Sequence, residues 1–326
     1  MKFASFISDG IARIGAAGGA DVIIDLQEAW PAGQERPGSM IELIELGEEG
    51  LQTARDAAAN APDSARIPIS EITWLPPVVK PSKICGIAMN NSASNARKIA
   101  APDHPAFFIK PPSCLVGHLQ PITMRTYYGS VHPEPELAVI IGERTRDVDA
   151  VEALNHVCGY SIFNDITGNH MRSEDMFHYY ALYASPEDPD RLERREQHLS
   201  YAGRYKGADN FGVLGPWLVT ADEIVNPDDL GVTCAVAGEI VAEDSTRYYN
   251  YKVAELISFI SQFHTLNPGD IVSCGTAFKP SEKRKSIHHA NFLVTGGPVE
   301  ITIEKLGTQH NPVIIEEREI GAWKLA

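Results

Sequence analysis

Long apolar runs are missing from this chain. Nowhere do about 18 apolar residues follow one another, so no membrane-spanning helix is expected. Basic residues are scarce: 28 Lys and Arg face 43 Asp and Glu, a formal net charge of −15. A nucleic-acid reader needs a basic face to displace phosphate counterions. The nearest approach to one, Arg191-Leu-Glu-Arg-Arg-Glu, is interrupted by glutamates. No nucleic-acid partner is expected, and an acidic membrane surface would repel the chain on average. Cysteines are few and odd in number, and Cys85, Cys114, Cys158, Cys234 and Cys274 lie far apart. They read as free thiols in a reducing compartment, not as a disulfide framework. The opening MKFASFISDGIARIG has no sustained apolar stretch, so a signal peptide is not expected and a cytoplasmic location is. There is no G-x-S-x-G elbow, no H-E-x-x-H or C-x-x-C, and no P-loop. Gly15-Ala-Ala-Gly-Gly lacks the spacing of a dinucleotide fingerprint.

What is present is ordinary globular material, 44% hydrophobic and 22% charged, enough for a sizeable core without disulfides. Residues 1–75 read as a small α+β unit. Ala20-Asp-Val-Ile-Ile-Asp-Leu is strand-like, and Ile41 to Ala61 is helical in composition until Pro62. The proline-rich connector Thr73-Trp-Leu-Pro-Pro-Val-Val-Lys-Pro-Ser ends that unit. Residues 76–326 read mostly as short strands punctuated by glycine, with Val299-Glu-Ile-Thr-Ile-Glu-Lys alternating as a half-buried strand should. One helix stands out, because Val253, Leu256, Ile257, Ile260 and Phe263 recur at helical spacing before Asn267-Pro-Gly-Asp. The fold class is therefore β-rich α+β, and no βαβ rhythm supports a doubly wound sheet. Residues 173–204 form a charged insertion after a tyrosine-rich patch, expected to be helical at its centre.

The chemistry concentrates in Val131-His-Pro-Glu-Pro-Glu-Leu-Ala-Val-Ile-Ile-Gly. Pro135 pushes Glu134 toward an extended backbone. Residues two apart on an extended chain share a face, so His132, Glu134 and Glu136 can point together. Two carboxylates that close repel each other, and a bound cation resolves the conflict. Asp165, at the end of Gly159-Tyr-Ser-Ile-Phe-Asn-Asp, is the natural third ligand. Hard oxygen donors favour Mg²⁺, Mn²⁺ or Ca²⁺ over zinc. The plain alternatives are a solvated face for Glu-x-Glu and a turn for Asn-Asp, and each is the commoner reading of its piece alone.

Together with Phe108-Ile-Lys-Pro-Pro-Ser-Cys-Leu-Val-Gly, Lys206-Gly-Ala-Asp-Asn-Phe-Gly-Val-Leu-Gly-Pro-Trp and Leu266-Asn-Pro-Gly-Asp-Ile-Val-Ser-Cys-Gly-Thr, these blocks resemble the fumarylacetoacetate hydrolase family. They occur in the family's order from residue 83 to about 313. The resemblance implies a mixed β-roll, usually a homodimer, with Mg²⁺ or a similar ion on Glu134, Glu136 and Asp165. It implies Lys206 beside the metal and Gly275 and Thr276 at a small-molecule substrate. It implies chelation of a 2-oxo acid or 1,3-dicarbonyl-like compound and stabilisation of its enolate.

The chain also departs from the family's pattern. Hydrolytic members carry a lid of the form G-L-N-Y-x-x-H-x-x-E, and Gly86-Ile-Ala-Met-Asn-Asn-Ser-Ala-Ser-Asn puts Ser92 and Asn95 at its His and Glu. Neither is a general base near neutral pH. Asn169 stands where the family has a substrate-binding arginine, which implies a less anionic substrate or one held from elsewhere. Ala237-Gly-Glu-Ile-Val-Ala lacks the family's amide pair. Replacement bases could be His132, His170 or Lys206. The histidines read more readily as structural or surface residues, and Lys206 either shuttles protons with a depressed pKa or pairs with a ligand carboxylate. Tyr179, Tyr180 and Tyr183 are candidates to close over the site. C–C bond hydrolysis, the family's leading chemistry, is the expected reaction. The altered lid adds weight to the alternative of an isomerase, decarboxylase or dehydratase, with a non-catalytic metal-binding homologue as rival.

Overall fold

A computed structural model describes residues 1–278 and 290–318. Its centre is the antiparallel pair Pro135–Ile141 and Val157–Asp165, buried along their whole lengths. A strand covered on both faces carries a continuous apolar run, and Leu137 to Ile141 is one. Leu137, Val139 and Ile141 enter one core, while Ala138 and Ile140 enter a second with Leu43, Ile44 and Ala54 from the N-terminal helices. Each of these larger side chains contributes roughly 1.5–3 kcal/mol by leaving water.

Ile271–Thr276 pairs with Pro135–Ile141 on its free edge, setting Thr276 opposite Glu136 and Ser273 opposite Ala138. Ile84–Ala88 follows in parallel, then Ala106–Lys110 antiparallel to it. On the other side Leu218–Thr220 and Gly212–Leu214 pair with Val157–Asp165. A separate antiparallel sheet runs Glu239–Ser245, Gly231–Val236, Val299–Ile303, Gly307–Asn311. The β-rich α+β reading holds. The helix Val253–Phe263 forms where the spacing predicts, burying Val253, Leu256, Ile257 and Ile260. The Glu255 carboxylate accepts the Lys252 N–H at 2.7 Å to cap it.

Three expectations differ from the structure. The single helix expected over 41–61 is two, Met40–Glu45 and Gly47–Ala59, broken where Gly47 takes φ +64°. The N-terminal segment is not set apart at the sheet level: Lys2–Ser8 pairs with Leu218–Thr220, so its strands extend the central sheet. The insertion is a hairpin, Met176–Ala184 against Leu192–Ser200, with no helical centre. Its first strand, MFHYYALYA, is aromatic and favours extended backbone, and Pro186 and Pro189 fall in the turn.

Candidate metal centre

Two prolines flank Glu134 and keep its backbone extended. Its N–H donates to Asn164 Oδ1 at 3.0 Å, and its carbonyl accepts the Asp165 N–H at 2.9 Å. The loop carrying Glu134 is thereby fastened to the end of the strand carrying Asp165. Glu136 begins the neighbouring strand one register step away, opposite Phe163. The carboxylates of Glu134, Glu136 and Asp165 consequently converge, with one oxygen of each within 4.8 Å of the others.

Each carboxylate has its own restraint. Glu136 Oε2 accepts the Ser273 hydroxyl at 2.5 Å and the Gly275 N–H at 3.0 Å. Gly275 has φ +89°, and a Cβ there would lie 3.0 Å from the Asn90 side chain, so no larger residue could offer its N–H this way. Lys206 Nζ donates to Glu134 Oε2 at 2.7 Å and to Asp165 Oδ2. Lys110, fully buried, donates to Asp165 Oδ1 at 2.6 Å, to the Phe211 carbonyl at 2.9 Å and to the Lys206 carbonyl. All three of its ammonium hydrogens have acceptors, as a buried charge requires. His132, also fully buried, stands between Glu134 Oε1 at 3.2 Å and Asn169 Nδ2 at 3.1 Å. With the Asn169 amide donating to Nδ1, the imidazole proton belongs on Nε2, facing the carboxylate.

The charges fit a divalent cation. Three carboxylates face two ammonium groups, leaving one negative charge over. Burial and then Asp165 push the Glu136 carboxyl well above its usual range. Burial also opposes ionisation of Glu134, but Lys206 and His132 outweigh it and hold that carboxyl well below the usual range. The excess charge thus falls on Glu136, the one of the three with no ammonium contact. A divalent ion among these oxygens would relieve it and leave the site with one net positive charge.

A cavity of about 320 Å³ opens over this cluster. Glu134, Glu136, Lys206, Thr276 and Asn169 line it, as does Phe108, whose ring centre is 5.1 Å from Lys206 Nζ. Other expected residues fall elsewhere. Gly275 lies behind Glu136, not on the cavity wall, and His132 lies behind Glu134. Ser92 sits half-buried in the turn Ser92–Arg97, outside the lining; its neighbours Asn91 and Ser94 face the cavity. Asn95 turns away to exchange two hydrogen bonds with Asn250, at 3.0 and 3.1 Å. His170 is exposed and 3.5 Å from Glu174, and Tyr179, Tyr180 and Tyr183 stand on the hairpin, outside the lining. Of the two readings of Lys206, the geometry shows the pairing with ligand carboxylates, and its pKa is raised, not depressed, in the chain alone. Burial disfavours its ammonium, yet Asp165, Glu134 and Glu136 outweigh burial and raise it.

Sequence reasoning passed over Lys110, Ser273 and Arg172. A lysine closing the apolar strand Ala106–Lys110 just before two prolines was a signal for the first. Arg172 lies one helical turn after Asn169 in Asn169–Glu174 and lines the cavity. It makes no ion pair among the described residues.

No helix among the described residues is long and apolar enough to cross a membrane. Residues 83–314 match the family model for the fumarylacetoacetate (FAA) hydrolase C-terminal domain. The chain is 32% identical over 304 residues to the mitochondrial oxaloacetate tautomerase FAHD2A of Bos taurus, covering 91% of this chain and 86% of that one. Among solved structures it resembles the fumarylacetoacetate hydrolase of Exiguobacterium antarcticum, with TM-score 0.72 and 26% identity over 97% of this chain and 100% of that one. It also resembles maleylpyruvate hydrolase from Sphingobium sp. SYK-6, determined with manganese(II) and pyruvate, with TM-score 0.69, 26% identity and the same coverage. These relatives are enzymes, tautomerase and hydrolase alike, and with five sequence blocks, the mixed sheet and the family match all in agreement, this chain belongs to the fumarylacetoacetate hydrolase family.

Proposed function

We propose that this protein is a divalent-metal-dependent tautomerase or isomerase of a small 2-oxo dicarboxylic acid. Glu134, Glu136 and Asp165 would hold Mg²⁺ or Mn²⁺. The ion would supply Lewis-acid polarisation of the 2-oxo and carboxylate oxygens. Lys206 and Lys110 donate to Glu134 and Asp165 and keep those carboxylates aimed. His132 and Asn169 fix Glu134 from behind. Arg172, at the cavity wall and without an ion pair among the described residues, offers a planar donor pair to a second carboxylate at the far end of the substrate.

The observation that carries the reading is the lid. Ser92 and Asn95 stand at the positions of the family hydrolases' histidine and glutamate, Asn91 and Ser94 beside them face the cavity, and no imidazole or carboxylate of the described lid does. Hydrolysis needs an activated water, and these groups cannot take its proton near neutral pH. Moving a proton between carbon and oxygen of an already acidified 2-oxo acid needs no such nucleophile. The tautomerases among the relatives, and a cavity of about 320 Å³, support a substrate of that size.

The test uses metal-stripped protein reloaded with Mg²⁺ or Mn²⁺. Enol-to-keto relaxation of oxaloacetate, followed by ultraviolet absorbance, is expected to exceed the metal-only rate. Acylpyruvates are expected to remain intact by mass spectrometry. Cleavage of the acylpyruvate C–C bond with uptake of water, and no tautomerase activity, would overturn the reading. Arg172→Ala should raise KM roughly 10- to 100-fold, as loss of a charged hydrogen bond does, with kcat little changed. An unchanged KM would remove Arg172 from the site.

A further inference from the structure

The hairpin Met176–Ala184/Leu192–Ser200 pairs without interruption from Met176 opposite Ser200 to Ala184 opposite Leu192. On one face its polar groups satisfy each other. The Tyr179 hydroxyl donates to Gln197 Oε1 at 3.0 Å, Gln197 Nε2 donates to the Tyr183 hydroxyl at 2.6 Å, and the Arg195 guanidinium lies 4.7 Å from the Tyr183 ring centre. The other face carries a different group. His178 and His198 are direct cross-strand partners, their rings stacked at 4.2 Å and 10°. Glu196, two residues before His198, shares that face, and its Oε1 meets His178 Nε2. One donor atom from each of the three lies within 4.8 Å of the others. The ring nitrogens of His198 have no hydrogen-bond partner among the described residues.

Two imidazoles and one carboxylate on adjacent strands bring three metal-donor groups to one face. Zn²⁺ takes nitrogen and carboxylate oxygen at roughly 2.0–2.2 Å, which sets tetrahedral ligands about 3.4 Å apart. The two rings, parallel as they stand, would have to tilt out of their stack to aim a nitrogen each at one ion, which exposed side chains are free to do. The donors differ in kind from the all-oxygen cluster in the cavity: imidazole suits zinc, copper and nickel, whereas carboxylate alone suits magnesium and manganese. We propose that His178, His198 and Glu196 form a second metal site, for a first-row transition-metal ion of the zinc type, with its remaining position open to water. Bound there, the ion would tie the two strands together near the base of a hairpin that no third strand supports among the described residues. Two-stranded hairpins are marginal alone, so the clamp would quieten it. The chain enters the hairpin from the helix holding Arg172 and leaves it toward Lys206, so both ends run into the cavity wall.

The experiment titrates Zn²⁺ into metal-stripped wild-type protein and into the His178→Ala/His198→Ala double variant, by calorimetry and metal analysis. Wild type is expected to take one equivalent more than the variant. His198→Ala alone should weaken that equivalent at least tenfold. Both variants should keep the activity that Mg²⁺ supports, since these side chains are exposed and outside the cavity. In Cu²⁺-loaded protein, electron paramagnetic resonance should show coupling to two imidazole nitrogens, falling to one in His198→Ala. A Zn²⁺ stoichiometry equal in wild type and double variant would overturn the proposal, and so would a Cu²⁺ spectrum that His198→Ala leaves unchanged.

Discussion

Two clusters in this chain could each hold a metal ion, and the molecule supports them in opposite ways. Glu134, Glu136 and Asp165 are gripped from behind by Lys110, Ser273 and Gly275 and from the cavity side by Lys206. His178, Glu196 and His198 are exposed and touch mainly one another. In the first, protein charge already offsets two of the three carboxylates, so removing Lys110 or Lys206 leaves a buried carboxylate uncompensated. In the second, water takes the place of whatever is removed. Burial therefore makes one cluster structural as well as chemical and leaves the other free to be gained or lost.

The largest expected effect is Glu136→Gln. It removes a ligand from the buried cluster while preserving shape, so Mg²⁺ affinity should fall more than about 100-fold and turnover should drop to background, read by calorimetry and the tautomerase assay. Retained full affinity would sink the assignment. Lys110→Met comes next. It strips Asp165 of a fully buried partner, and breaking such a pair costs about 3–5 kcal/mol in denaturant unfolding. A loss below about 1 kcal/mol would show that the buried grip is not what supports the site.

The sign of the pH response sharpens the comparison further. Glu136 is held above its ordinary 4.5 by burial and Asp165, so its ion is less favourable in the folded chain than in the unfolded one. Metal-free protein should therefore lose stability from this group as pH climbs from 4.5 through the folded value. Glu134 acts oppositely: its contribution is present above 4.5 and lost as pH falls through its lowered folded value. Mg²⁺ binds the ionised form, so it should flatten the Glu136 slope and release a proton on binding in weakly acidic solution. Calorimetry in buffers of different ionisation heat counts that proton, and zero release would contradict the charge assignment. The smallest effect is expected for Glu196→Gln without metal, less than about 0.5 kcal/mol, because an exposed pair contributes little.

The buried cluster was largely legible in the sequence. Prolines beside Glu134 and the two-residue period brought His132, Glu134 and Glu136 together, and Asn-Asp at a strand end supplied Asp165. Its support was not, because Lys110 and Ser273 reach it only through strand pairings between segments far apart in the chain. Local reasoning failed where local signals competed. The charged stretch around Arg194 looked helical, yet its register with the aromatic strand at 176–184 decided its backbone. Gly47 broke a helix that composition alone would continue. Ser92 matched a motif position, but the turn presents Asn91 and Ser94 to the cavity.

Lys110, Ser273 and Gly275 hold the carboxylates without lining the cavity. The frame and the front wall are therefore separable inheritances. A lineage can rewrite the lid turn and the helix at 169–174, altering which substrate enters and which bond responds, while the three carboxylates stay where the sheet put them. For the same reason, a designer seeking a new reaction here has a front wall to vary and a back wall to leave alone.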